Sequence, residues 1–249
     1  KRAYFWFEYQ RLRRYESTIC NRFDLVLVVS HKDKEVLQQD LGVTVPVEVI
    51  ETGVDVGYFA PLRELETTPG RLLFLGSLDW MPNIDGIGWF ARDVYPRIKS
   101  AAPYVTLDVV GRRPTAAVRA LADIDASIRI WGSVPDVRPY VAKADLFIVP
   151  LRVGSGTRLK IFEAMAMRCP VVSTVVGAEG LPVQHGRHLL LADSAEEFAD
   201  MVVSTLSDPD KKRAVATEGY EFVTGNYSWE HVSQQLYDAC LSVCGKTRN

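Results

Sequence analysis

The sequence is short of the residues that build disulfide frameworks and metal centres. Its four cysteines (Cys20, Cys169, Cys240, Cys244) follow no framework spacing. Cys240 and Cys244 stand one helical turn apart with no histidine close by in sequence, which is not a zinc pattern. Buried thiols in a reducing compartment are the expectation. The four histidines (His31, His185, His188, His231) form no cluster. Charge of one sign is also lacking: the net charge of −2 argues against a nucleic-acid partner, which calls for a basic excess. No apolar run approaches the roughly 20 residues needed to cross a bilayer. Lys1-Arg2 is followed by aromatic and charged residues rather than by the apolar stretch of a signal peptide. The sequence does not begin with methionine and is expected to be a piece of a longer chain.

What is present is the composition of a globular protein, 47% hydrophobic and 24% charged over 249 residues, enough for one large domain or two small ones. The first 22 residues read as a helix opening on an aromatic cluster (Tyr4, Phe5, Trp6, Phe7, Tyr9), with Arg11, Arg13 and Arg14 behind it. A helix packing against a domain outside this chain is favoured over a membrane-surface or partner-binding helix. Asp24–Ser30 predicts a buried strand, His31–Leu41 a short helix ended by Gly42, and Val47–Ile50 another strand. From Arg71 to Ala192 strands and helices alternate, which predicts a doubly wound sheet of about six parallel strands. Within it Ile84–Ala101 reads as one helix. Gly76-Ser77, Gly111-Arg112, Gly132-Ser133 and Gly154-Ser155 all fall just after strand ends, where such sheets bind ligands. Helices at Ala195–Ser207, Pro209–Gly225 and Trp229–Cys244 are expected to close the chain.

The most informative stretch is Asp145–Gly180. It reads as strand, glycine loop, buried helix (Leu159–Met167), strand (Val171–Val176) and glycine loop. Gly154-Ser155-Gly156-Thr157 ends on a good helix N-cap residue, and free amides at a helix start beside two glycines make an anion site. Arg158 and Lys160 occupy the first turn, where the helix dipole disfavours cations and a bound phosphate would favour them. Glu163 is a carboxylate within an apolar helix, a group rarely buried without a partner. It could take vicinal hydroxyls, or simply pair with Lys160 along the helix.

The segment RLKIFEAMAMRCPVVSTVVGAEGL resembles the donor-site segment of retaining group 1 (family 4) glycosyltransferases, which have the GT-B fold. Members carry a Glu-x7-Glu pattern; here the second Glu is Glu163, followed by Ala164-Met165-Ala166 and Pro170-Val171-Val172. Ser155 stands where the first Glu falls, and the loop Gly76–Asn83 lacks the Arg and Lys that many members place there. Asp24–Ser30, Gly76, the loop Val134-Pro135-Asp136 and the terminal helices also resemble the family in order, so the likeness runs from near Asp24 to the C-terminus.

The resemblance implies an α/β, GT-B type architecture: a Rossmann-like doubly wound parallel sheet with C-terminal helices, plus a remnant of the N-terminal α/β domain. Residues 1–54 would be that remnant of the acceptor domain, 55–70 an interdomain linker, 71–226 the nucleotide-sugar donor-binding domain and 227–249 a C-terminal helix. Glu163 would hold the ribose. Gly154, Ser155, Gly156 and Thr157, with Arg158 and Lys160, would hold the diphosphate, the two cations acting catalytically by stabilising the departing charge. Gly76, Ser77, Asn83 and Gly111 would line the same crevice, and Ser133–Val134 would meet the base. The implied donor is a UDP or GDP sugar, taken as substrate with no cofactor and no metal. The acceptor would be a sugar, a lipid-linked molecule or a small molecule, in polysaccharide or glycoconjugate synthesis. The location would be cytoplasmic or peripheral at the inner face of the membrane. A missing N-terminal domain would complete the site, so this chain alone is expected to bind nucleotide and not transfer sugar. Two alternatives are a nucleotide-sugar 2-epimerase of the same fold and a non-catalytic nucleotide-binding module.

Overall fold

Runs of aliphatic residues such as Arg71–Leu75 and Leu146–Val149 are buried on both faces, the pattern of central parallel strands covered by helices on each side. The computed structural model describes residues 2–62, 64–154, 156 and 158–244, and of residues 2 and 3 only the backbone. The chain divides into two units: Val54–Ser228, and Lys1–Gly53 together with Trp229–Asn249.

In the flanking unit, α1 (Arg2–Cys20) exposes the aromatic residues from Tyr4 to Tyr9. β1 (Val26–Val28) pairs in parallel with β2 (Val47–Val49), with α2 (His31–Glu35) and a π-helical turn at Val36–Asp40 between them. The buried strand expected at Asp24–Ser30 is therefore shorter and half exposed. Leu27 and Val29 face solvent, because a two-stranded ribbon with one short helix covers only part of its faces. Helix α10 (Trp229–Cys244) belongs to the same unit and exposes both Cys240 and Cys244. Only Cys169 is a buried thiol among the described residues, and its burial pushes the thiol pKa up.

The larger unit is a parallel sheet of six strands in the order β5-β4-β3-β6-β7-β8, which agrees with the expected doubly wound α/β sheet. The strands are β3 (Arg71–Leu75), β4 (Thr106–Val110), β5 (Ile128–Gly132), β6 (Leu146–Val149), β7 (Val171–Ser173) and β8 (Leu190–Leu191). Strand periodicity splits the core in two. Leu72 and Phe74 point to a layer with Ile87, Phe90, Leu107 and Phe198, while Leu73 and Leu75 point to one with Phe147, Ile161, Phe162 and Val223. Helices α3 (Met81–Trp89), α4 (Tyr95–Ala101), α5 (Ala116–Arg119) and α6 (Arg138–Lys143) connect the first strands. Helix α7 (Leu159–Ala166) follows β6, and α8 (Ala195–Ser207) and α9 (Pro209–Asn226) follow β8.

The single helix expected over Ile84–Ala101 is interrupted by a π turn at Phe90–Val94. Pro96, at the start of α4, offers no N–H to the ladder, and the hydrogen bonding slips by one residue before it. Part of the stretch 55–70, expected as a linker, lies against the core of the larger unit. Val54 is buried in the second core layer, and Val56, Phe59 and Leu62 lie against it.

Two buried carboxylates tie strands together. Asp108 accepts hydrogen bonds from Arg71 and, at 2.8 Å, from the Trp131 indole. Asp145 accepts from the Gly70 amide at 2.8 Å and from the Lys212 ammonium at 2.5 Å. The strand order places a topological switch between β3 and β6: the chain winds outward from β3 to β5, then returns to the other side of β3. At the carboxyl end of the sheet a Cβ on Gly111 would sit 1.6 Å from the Gly76 carbonyl oxygen. Gly111→Ala is therefore expected to lower stability by about 3 kcal/mol or more, the upper part of the range for overpacking, as measured by urea unfolding.

Candidate functional site

The two halves of the sheet part at the carboxyl ends of β3 and β6. There Gly76, Trp80, Pro82, Asn83, Leu151, Arg158, Leu159 and Lys160 enclose a cavity of about 190 Å³. One wall is the β3–α3 loop. Asn83 sits in the first turn of α3 and its Nδ2 donates to the Ser77 carbonyl at 2.9 Å, folding the loop back on the helix start. The Arg112 Nε donates to the Ser77 hydroxyl at 2.7 Å, and Arg113 pairs with Asp79 at 3.3 Å, so the loop after β4 clamps the loop after β3.

The facing wall is the loop into α7. Gly154 has φ +119° and lies so near Pro82 that a Cβ would meet its ring at 3.2 Å, a position open to glycine alone. Arg158, rather than the expected Thr157, is the N-cap of α7, and its side chain makes no capping bond to the helix. Its Nη1 instead donates to the Gly156 carbonyl at 2.9 Å. The Arg158 side chain thus leaves the first-turn amides of α7 uncapped by its own N-cap residue, and an anion at a helix start can meet such amides.

Lys160 reaches across to the other half of the sheet. Its ammonium donates to the Leu75 carbonyl at 2.8 Å and lies 4.7 Å from the centre of the Phe74 ring. Withdrawal from water, reinforced by Arg158 and opposed by Glu163, brings its pKa down to about 7. Burial also lowers Arg158 from its ordinary value, against the attraction of Glu179. Glu163 is half-buried one turn further along α7; burial raises its pKa and Lys160 opposes that. Two cations at the rim of one cavity, one of them largely withdrawn from water, are arranged to receive an anion.

Of the residues singled out from the sequence, Gly76, Asn83, Arg158 and Lys160 line the cavity. Gly111 backs Gly76, and Gly154 closes the loop against α3. Ser77 is part of the clamp. Glu163 lies beyond the cavity wall. Ser133 is exposed, and Val134 is half-buried against the second core layer, both at the end of β5, two strands from β3. Ser155 and Thr157 lie outside the described residues. Trp80, Pro82, Leu151 and Leu159 were not assigned from the sequence. Trp80 and Pro82 stand in a loop noted for its composition, and only the fold shows that Trp80, 63% exposed, rims this cavity. Among the described residues no three His, Cys, Asp or Glu side chains converge as a metal site. Nor does any described helix have the length and apolarity to cross a membrane.

Comparison with known proteins bears on the same residues. The family model described as "Glycosyl transferases group 1" matches residues 69–208, the span that holds both walls of the cavity. The chain belongs to the group 1 glycosyltransferases. A second model, "Glycosyltransferase Family 4", matches residues 1–58. A "GDP-mannose-dependent alpha-(1-6)-phosphatidylinositol monomannoside mannosyltransferase" of Mycobacterium tuberculosis is 32% identical over 238 residues, covering 86% of this chain and 61% of the relative. An uncharacterized 44.6 kDa protein in the cps region of Klebsiella pneumoniae is 24% identical over 244 residues, covering 95% and 61%. The chain therefore spans about three-fifths of the length of these relatives. Among solved structures, a glycosyltransferase from Rickettsia africae superposes with a TM-score of 0.78 at 15% identity, covering 95% of this chain and 68% of that one. Anabaena HepE in complex with UDP and glucose superposes with a TM-score of 0.73 at 19% identity, covering 94% and 67%. The fold of this group 1 chain is that of the GT-B glycosyltransferases.

The depressed Lys160 pKa has a consequence for stability. The folded protein releases this proton near pH 7, whereas the unfolded chain holds it until about 10.4. Between those values the unfolded state binds more protons, so this residue makes stability rise with pH, and the gain is lost again as pH falls through 7. Relative to Lys160→Met, the wild-type protein should gain roughly 1–2 kcal/mol between pH 7 and 9 in urea unfolding.

Proposed function

We propose that this chain is the donor-binding part of a glycosyltransferase that takes a nucleotide-diphosphate sugar and transfers a hexosyl unit to an acceptor with retention. The observation that carries the reading is the pair Arg158 and Lys160 at the start of α7, lining the cavity at the switch point of the sheet. A diphosphate placed there meets the first-turn amides of α7 and both cations, and restores the ordinary charge state of Lys160. As the bond between sugar and diphosphate breaks, charge builds on the leaving phosphate. Cations already held in place stabilise that charge without reorganising. The Arg158 fork is suited to two phosphate oxygens and the Lys160 ammonium to one. Glu163, half-buried one turn beyond Lys160 on α7, would take the hydroxyls of a ribose.

The donor class has support from two relatives: the mycobacterial protein is described as GDP-mannose-dependent, and HepE was solved with UDP and glucose. Synthesis of polysaccharide or glycoconjugate at the inner side of a membrane fits such relatives. We propose that no metal is needed, the two cations meeting the diphosphate charge. An epimerase finds less support: His188 lies ahead of β8 and stacks on Phe222 at 4.0 Å, away from the cavity, so it offers the cavity no acid or base.

Calorimetry with UDP, GDP and ADP tests the reading. At least one should bind, with affinity undiminished by EDTA, and Arg158→Ala and Lys160→Ala should each weaken it about 10–100-fold, the worth of a hydrogen bond to a charged group. Unchanged affinity in both variants sinks the assignment. Because the deprotonated Lys160 must take up a proton to meet the diphosphate, affinity should fall as pH rises above 7, and Lys160→Met should flatten that dependence. The chain by itself should bind nucleotide without transferring sugar; radiolabelled transfer by this chain alone would refute that part.

A further inference from the structure

A second cavity lies at the opposite pole of the sheet, where the strands begin. It is larger than the donor cavity, about 340 Å³, and its floor is the buried Asp145 just ahead of β6. Pro170, just ahead of β7, and Met167 form an apolar wall. Three cations surround it: Arg168 at the end of α7, and Lys212 and Arg213 in the first turns of α9. Lys212 is neutralised by Asp145 at 2.5 Å. Among the described residues Arg213 has an exposed contact with Asp210 at 3.6 Å, of little energetic weight. The lining therefore carries a net positive charge around a partly apolar hollow.

Arg168 gives this cavity its interest. Helix α7 ends in a full Schellman motif: the Arg168 amide bonds the Met165 carbonyl at 2.9 Å and the Cys169 amide bonds the Ala164 carbonyl at 3.0 Å. The residue after the C-cap in that motif adopts the left-handed conformation and is usually glycine. Here it is Arg168, at φ +57°. A side chain is kept where the backbone favours none, and it is a guanidinium stacked 4.1 Å from the centre of the Tyr220 ring, on the rim of the cavity. Stacking fixes the plane of the fork, and a fixed fork is a good receptor for two oxygens of a phosphate.

We propose that this cavity is a second binding site, separate from the donor cavity, for a small phosphate monoester. The phosphate is held by Arg168 and Arg213, and its organic part lies on the Met167–Pro170 wall. A volume of this size is at the small end of ligand pockets, which suits a triose or hexose phosphate.

The test is calorimetry and thermal shift with inorganic phosphate, glycerol 3-phosphate and a hexose 6-phosphate. At least one ester should bind the wild-type chain more tightly than inorganic phosphate does. Arg168→Gly and Arg213→Ala should each lower its affinity tenfold or more. Without ligand Arg168→Gly should melt no lower than wild type, since glycine relaxes the left-handed position; Arg213→Ala, at an exposed residue, provides the same reading independently of that position. Ester binding should persist in Lys160→Ala, which separates the two cavities. Absence of binding by every ester, equal affinity in Arg168→Gly and Arg213→Ala, or loss of binding in Lys160→Ala would each overturn the proposal.

Discussion

The hydrogen bond from the Lys160 ammonium to the Leu75 carbonyl joins the two halves of the larger unit at the point where they diverge. β3 is shared by both halves, and Leu75 is its last residue. Lys160, carried by the helix that follows β6, donates to that residue's carbonyl. The ammonium lies over the Phe74 ring and out of water, and that burial, with Arg158 nearby, lowers its pKa. One contact thus sets the position of α7 against β3, forms a wall of the cavity and creates the charge deficit that an anion would relieve.

The rest of the site depends on how closely glycine lets the loops approach one another. A Cβ on Gly111 would sit 1.6 Å from the Gly76 carbonyl, and one on Gly154 would sit 3.2 Å from the Pro82 ring. These contacts let three loops meet above the sheet rather than splay. The helix starts of α3 and α7 are brought to the same hollow by this closeness and by the parallel direction of every strand. The opposite end of the sheet is organised differently. There buried Asp145 binds the Gly70 amide and Lys212, so that pole is held by charge rather than by small residues.

Much of this was legible in the sequence. Arg71–Leu75, Asp145–Leu151 and the apolar helix after Gly154 are long, uninterrupted patterns, and the alternating order of elements allowed few other arrangements. The glycine loop with two cations pointed to an anion, and the segment around Glu163 carried the family resemblance. Less legible were features set by a single residue acting at a distance. The π turn at Phe90–Val94 follows from Pro96. The N-cap of α7 is Arg158, whose side chain turns to the Gly156 carbonyl, although local propensity favours a hydroxyl residue such as Thr157. The half-exposed β1 contradicts its own hydrophobic composition, since burial depends on how many neighbours a strand finds and not on its residues.

By itself the sequence determined the class of fold, the parallel direction of the sheet, the family and the loops that could hold a ligand. These depend on periodicity, on glycine and proline, and on short-range spacing, all of which are local. Only the tertiary structure decided which of those loops meet. It brought Gly76, Asn83, Arg158 and Lys160 to one cavity, added Trp80 to its rim and left Ser133 two strands away. It also paired Lys160 with a carbonyl 85 residues distant, where sequence spacing offered Glu163 three residues on. The reason is physical. A side chain's charge state and partner are set by what the fold excludes from water around it, and that exclusion is made by residues far apart in the chain.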